Sequence, residues 1–253
     1  MWDTPVEVKA STFSGWAPKA YTRLIAANRG VCLMANRRAA AKGRRSFNPS
    51  AINVAMEGDS WFRLPDFPFK FATVGGSDFD IARGLQELGY NTHNAAHWGE
   101  TIESMARARD YLNALSGWTP HALFLSAGGN DLLGEKSGSQ GRLVDYLNQR
   151  PSGPNTKPPA WYLRPEFDRD VGRVMSYYRL IINDVFAWRD FAKVIVFIHG
   201  YDYPVPKELL WISEPFAFRN IEEPIRTQVI KIAIDRLNVA LRRMASEYNG
   251  RVR

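Results

Sequence analysis

Cysteine is almost absent. Cys32 is the single one in 253 residues, which excludes an internal disulfide framework. No run approaches the roughly 18 uncharged apolar residues that span a bilayer, and neither end pairs a charged-then-apolar segment with small residues as a signal peptide does. A chain without a membrane span, in the reducing cytoplasm, is the expectation. Histidine is scarce too: His93, His97, His121 and His199, preceded at three residues by Tyr90, Asn94, Trp118 and Val196, never by aspartate. With no histidine paired with acids on one helix face and a single thiol, no metal site and no cofactor are expected. Internal repeats and low-complexity segments large enough to mark a second domain are also missing.

What is present suits one α/β domain: 45% hydrophobic and 23% charged residues, enough for a sizeable core. The formal charge of +7 concentrates in a run of Arg37, Arg38, Lys42, Arg44 and Arg45 without an intervening acid. Such a run is most often a solvated face. It lacks the aromatic interleaving of a single-strand groove, so no nucleic-acid partner is expected. Residues 1–50 read as a basic helical lead-in and residues 51–253 as the domain.

Within the domain, Ala51 to Met56 reads as a buried strand closed by the turn signal Gly58. A helix starting at Ser77 or Asp78 carries Ile81, Leu85 and Leu88 and stops at Gly89. Tyr90 to Ala96 predicts a second strand. Met105, Ala108, Leu112 and Leu115 line one face of a helix that Gly117 and Pro120 end. Ala122 to Ala127, apolar apart from one serine, predicts a third strand buried on both faces. Gly134 to Pro165 reads as a surface insertion with a short helical piece near Leu143 to Leu147. Val171, Val174, Met175, Tyr178, Ile182 and Val185 mark a long amphipathic helix, and Val194 to Ile198 a fourth strand. Pro204, Pro206 and Pro215 predict an irregular stretch. Ile225, Val229, Ile232, Val239 and Met244 predict a last helix ending near Asn249 and Gly250. Arg251 to Arg253 stands where a fifth strand begins, so that strand is expected to be cut short, with the fourth left as an open edge able to self-associate. Alternating strands and helices imply a parallel sheet covered on both faces.

The chemistry-bearing residues follow the strands. Ser60, in Glu57-Gly58-Asp59-Ser60-Trp61, comes directly after the first strand, at the edge where open α/β sheets place ligands. The block does not fit a G-x-S-x-G elbow, because Phe62 replaces the second glycine. By itself it suits a turn-capping serine as well as a nucleophile. Asn130, in Ser126-Ala127-Gly128-Gly129-Asn130-Asp131, follows the third strand. In a flavodoxin-like order that strand neighbours the first, so the Asn130 amide faces the same crevice, where it can donate to an oxyanion. Asn94 to Thr101 follows the second strand, and Gly99 offers an unhindered N–H.

Taken together, the Gly-Asp-Ser block, the glycine block and the Gly-x-Asn-Asp block resemble the SGNH (GDSL-like) hydrolase family from about Ile52 onward, with Trp61 in place of the more frequent leucine. The resemblance implies a three-layer α/β sandwich with a central parallel sheet. It also implies a serine ester hydrolase acting on a small-molecule ester or acetylated carbohydrate, such as an esterase, a lipase or a carbohydrate deacetylase. Ser60 becomes the nucleophile. Its N–H, the Gly99 N–H and the Asn130 side chain form the oxyanion hole, and Asp59 and Asp131 brace their loops. The family's Asp-x-x-His block is missing, so the catalytic histidine is expected beyond Arg253. The alternative is a binding or scaffold protein that keeps the fold without turnover. His199, closing the fourth strand, remains open as a hydrogen-bonded strand-end residue, a pocket residue or a substitute base. His97 reads as a loop residue and His93 and His121 as structural. Trp61, Trp98 and Tyr201 join His199 as pocket candidates.

Overall fold

Apolar side chains on both sides of a short run force a strand into the middle of a sheet. β1 (Asn53–Gly58) is buried at every position. It sits between β2 (Asn91–Asn94) and β3 (Ala122–Ser126), and β4 (Ile195–Ile198) pairs with the far side of β3, giving the order β2-β1-β3-β4. All pairings are parallel, with Gly58 opposite Ser126 and Leu123 opposite Val196. The computed structural model describes residues 50–59, 62, 81–116, 120–135, 141–153, 157–188, 193–204 and 210–253. The basic run, Ser60, Trp61 and the helix-capping Ser77 and Asp78 lie outside the described residues.

Helices cover the sheet as an α/β crossover fold requires. α1 (Ile81–Glu87) precedes β2, and Gly89 ends that segment at a φ of 90°. The single helix expected after β2 is two, α2 (Ile102–Ala108) and α3 (Asp110–Leu115), broken by Arg109 at a φ of 58°. The break rotates the second half so that Tyr111, Ala114 and Leu115 are fully buried, rather than the face through Ala108 and Leu112. α4 is the four-residue turn Gly129–Leu132 after β3. Two 3₁₀ turns, Arg142–Tyr146 and Pro159–Tyr162, give shape to the insertion. The long α5 (Pro165–Ala187) and α7 (Glu223–Ser246) pack their apolar faces into one core with β3 and β4.

Three expectations are corrected. Pro215 lies inside a helix, α6 (Leu210–Phe218), rather than in an irregular stretch. A proline has no N–H to offer the carbonyl four residues back. That carbonyl, of Trp211, sits against Gly141 instead, at 1.9 Å from where a Cβ would stand. Val239 of α7, expected on its apolar face, is exposed, and the buried face runs through Val229, Ile230, Ala233, Ile234, Leu237, Leu241 and Met244. Finally, β4 is not an open edge along its length. Val252 bridges Val196 in parallel, the Val196 and Ile198 N–H groups donate to the carbonyls of Arg251 (2.9 Å) and Arg253 (2.8 Å), and the Arg253 N–H donates to the Val196 carbonyl (3.0 Å).

One side chain extends the sheet's hydrogen bonding. The buried Tyr178 hydroxyl, on α5, accepts from the Ala127 N–H (2.9 Å) and donates to the Ala127 carbonyl (2.7 Å) just past the end of β3. Among the described residues no helix is long and apolar enough to cross a membrane.

Candidate active site

The order β2-β1-β3-β4 lines up four strand ends at the carboxyl edge, where a twisted parallel sheet opens a crevice. Backbone bonds fasten them together. The Asp59 N–H donates to the Ser126 carbonyl (3.2 Å), and the His97 N–H donates to the Gly58 carbonyl (2.9 Å). Asn94 at the end of β2 donates from its side chain to the Phe62 carbonyl (2.9 Å), and the Phe62 N–H donates to the Asp59 carbonyl (3.1 Å).

Gly99 takes a φ of 74°, left-handed backbone that L side chains rarely adopt. The Asn130 amide donates through Nδ2 to the carbonyl of the next residue, Glu100, at 3.0 Å. The glycine loop and the Asn130 turn are therefore one assembly, and an amide nitrogen carries a second N–H beyond this bond. Asp131 turns the other way: its Oδ2 accepts from the Ile102 N–H (3.0 Å) at the start of α2. Burial, offset in part by that bond, pushes its carboxyl up to about 6.

Across β3, Asp59 is buried and accepts from the Ser126 hydroxyl at Oδ1 (2.8 Å) and from the Tyr201 hydroxyl at Oδ2 (3.1 Å). His199 places Nε2 at 2.6 Å from Ser126 Oγ and Nδ1 at 2.8 Å from the Gly200 carbonyl. Its ring lies edge-on to Phe62 with 6.0 Å between centroids. Burial and the neighbouring Asp59 raise the Tyr201 phenol well above its ordinary value. Two glycines admit this ring and its backbone: a Cβ on Gly129 would stand 2.8 Å from Tyr201, and one on Gly200 would stand 2.8 Å from Asn238 Oδ1. Asn238 of α7 clamps Tyr201 by accepting from its N–H (2.8 Å) and donating to its carbonyl (2.9 Å).

Beneath the site sits a carboxyl pair. Glu57 of β1 is buried and its pKa is pushed up to about 9, first by burial and then by Glu100 and Asp110. Glu100 is raised to about 7, mainly by burial. One oxygen of each, Oε2, has no hydrogen-bond partner among the described residues.

Of the residues singled out from the sequence, Asp59, Gly99, Asn130, Asp131, His199 and Tyr201 converge on this edge, and Trp98 belongs to the same loop as Gly99. The remaining histidines are elsewhere occupied: His121 Nδ1 accepts from the Asn53 N–H (3.1 Å), and His97 Nε2 is 3.7 Å from Asp110 Oδ2. His93 stands on β2. Sequence reasoning passed over Ser126, Asn238, Tyr178 and Glu57. Ser126 alone left a signal, a hydroxyl in an otherwise apolar strand. Among the described residues no group of three or more histidine, cysteine or acidic side chains is arranged to hold a metal ion.

No family model matches the chain, and no curated protein matches it. Several of its neighbours among solved structures are SGNH esterases and lipases. The chain is similar to the SGNH-hydrolase family esterase AlinE4, at 14% identity and a TM-score of 0.39, over 81% of this chain and 77% of that one. It is also similar to an extracellular lipase from Streptomyces rimosus (12%, 0.43, over 80% and 79%) and to the acetyl xylan esterase AlAXEase (14%, 0.40, over 79% and 76%). Identities and TM-scores this low carry no argument about activity.

Proposed function

We propose that the chain is a serine ester hydrolase in which Ser60 forms an acyl-enzyme with a small ester or an acetylated sugar, and water releases the acyl group. The observation that carries the reading is the bond from Asn130 Nδ2 to the Glu100 carbonyl, 3.0 Å, beside the left-handed Gly99. It joins two N–H donors on separate loops into one cradle at the edge to which the Asp59 turn leads. Donors fixed in this way cost no reorganisation when charge develops on a carbonyl oxygen, and that is the source of oxyanion stabilisation. In this reading the Ser60 and Gly99 N–H groups and the Asn130 amide receive the oxyanion, and Trp98 and Tyr201 flank the substrate.

A second reading, a fold that binds without turnover, is favoured by the histidines. His199 meets a partner at each ring nitrogen, and the rings of His97 and His121 are turned to Asp110 and to the Asn53 N–H. In the hydrolase reading the base is supplied from outside these three side chains, in keeping with the missing Asp-x-x-His block. Labelling with a fluorophosphonate, with p-nitrophenyl ester hydrolysis alongside, separates the two. Label on Ser60 that disappears in Ser60→Ala, together with a loss of about 100-fold in turnover for Asn130→Ala at little change in KM, supports the enzyme. A wild-type chain that neither labels nor hydrolyses, yet retains a bound ester, supports the scaffold.

A further inference from the structure

The Ser126 hydroxyl, which the Tyr201 hydroxyl also approaches, has one proton for two acceptors. Asp59 Oδ1 lies 2.8 Å away on one side and His199 Nε2 2.6 Å away on the other. The remaining contacts of the group leave little freedom. His199 Nδ1 faces the Gly200 carbonyl at 2.8 Å, which only accepts, so Nδ1 carries a hydrogen. Asp59 Oδ2 already accepts from the Tyr201 hydroxyl. A ring protonated only at Nδ1 and an ionised Asp59 would then share a single hydroxyl proton between two acceptor contacts. One of those contacts would be two lone pairs facing each other at hydrogen-bond distance, at a buried serine where water does not intervene. One additional proton removes the conflict, and it goes to the imidazole because that ring is ordinarily more basic than a carboxylate: Nε2–H donates to Ser126 Oγ, and the Ser126 hydroxyl donates to the carboxylate. Short distances on both sides of the oxygen suit hydrogen bonds with a charged partner.

We propose that Ser126 is a positioning residue whose hydroxyl transmits a shared proton between His199 and Asp59 and thereby holds the turn leading to Ser60 against the end of β4. The inference rests on Ser60 as the nucleophile only for its catalytic consequence; the proton count does not depend on it. Every element packed around the group supplies a named neighbour. Asp59 comes from the end of β1, Glu100 from the loop after β2, Asp131 from α4, Tyr178 from α5 and Tyr201 from the segment after β4. Glu100 and Tyr178 both feel the Asp59 charge, and Tyr178 also that of Asp131. These neighbours are acids and phenols, which favour a positive charge at the centre. Phe62 closes the ring of contacts, edge-on to His199 on the far side of the turn. His199 is accordingly a donor at both nitrogens, which assigns it to holding the turn and not to taking the proton from Ser60.

The test uses the full chain labelled with 15N and reads the His199 ring together with Ser60 labelling by fluorophosphonate. The wild-type ring is expected to show N–H at both nitrogens, and Ser126→Ala to show one. Asp59→Asn is the sharper variant. Its amide can donate to Ser126, freeing the hydroxyl to donate to Nε2, so the ring should fall to one N–H while the Asp59-position and Phe62 amide signals stay near their wild-type places. Misplacement of the turn should slow Ser60 labelling by about 100-fold in Ser126→Ala. His199→Gln, which keeps an N–H donor towards an intact Ser126, should label at close to the wild-type rate. A wild-type ring with a single N–H overturns the proposal, whatever the activity. So does a Ser126→Ala chain that loses the second N–H but labels at the wild-type rate. If Ser60 is unlabelled in the wild type while the ring carries both N–H groups and responds to Asp59→Asn, the proton sharing stands and the hydrolase reading falls.

Discussion

At the scale of single residues, the carboxyl under the site sets the response to pH. Glu57 titrates near 4.5 when the chain is unfolded and near 9 when folded, because burial beside Glu100 disfavours the charge. Between those values the folded chain holds a proton that the unfolded chain has released, so stability falls as pH rises through the window. The contribution is complete below 4.5 and lost above about 9. Glu57→Gln keeps the size and the neutral form at every pH. Urea unfolding across this window should show a flatter decline for the variant, with the two chains diverging most at the alkaline end. Parallel curves would mean that Glu57 is ionised in the folded chain. The charge would appear one residue from Gly58 and two from Asp59, so activity should fail on the alkaline side along with stability.

At the scale of elements, glycines separate close approach from mere convenience. Gly141 begins the 3₁₀ turn against α6, where an added Cβ would overlap the Trp211 carbonyl, a backbone atom that cannot rotate away. Gly141→Ala should cost about 3 kcal/mol by overpacking. Gly172, in the interior of α5, has open space around its Cβ position, and Gly172→Ala should add about 0.5–1 kcal/mol through helix propensity. Thermal unfolding of both checks the pair, and equal shifts would contradict the geometry. These positions also show what could be read from the residues alone. β1 and β3 were legible because burial on both faces demands nearly unbroken apolar runs, β4 because its four residues are all apolar, and α5 because one buried stripe leaves a 3.6-residue period. The Arg109 break was not, since an arginine in left-handed backbone carries no punctuation of its own. Nor was Pro215 within α6, because the carbonyl it strands packs against Gly141 some seventy residues earlier. In the site, Asp59, Gly99, Asn130 and Asp131 could be placed because each follows a strand directly. The Ser126–His199 contact could not, since its partners are 73 residues apart and only the strand order makes them neighbours.

At the scale of the whole molecule, the segment 251–253 closes the sheet against the side where β4 would otherwise offer bare N–H and C=O groups. Val252 is buried there, and the Arg251 guanidinium lies 3.5 Å from the centroid of Phe186 on α5. Removing Arg251 to Arg253 should therefore lower stability and promote association through β4, to be followed by light scattering against the 253-residue chain. An unchanged molecular mass at high concentration would show that the edge is protected in some other way. The opposite end of this logic lies in the paired bonds between the Tyr178 hydroxyl and Ala127. Because that amide proton is held by a side chain on α5 and not by a neighbouring strand, fraying of the sheet cannot release it to solvent. Its hydrogen–deuterium exchange follows the opening by which α5 lifts from the layer below, so Ala127 serves as a built-in clock for the undocking of that long helix.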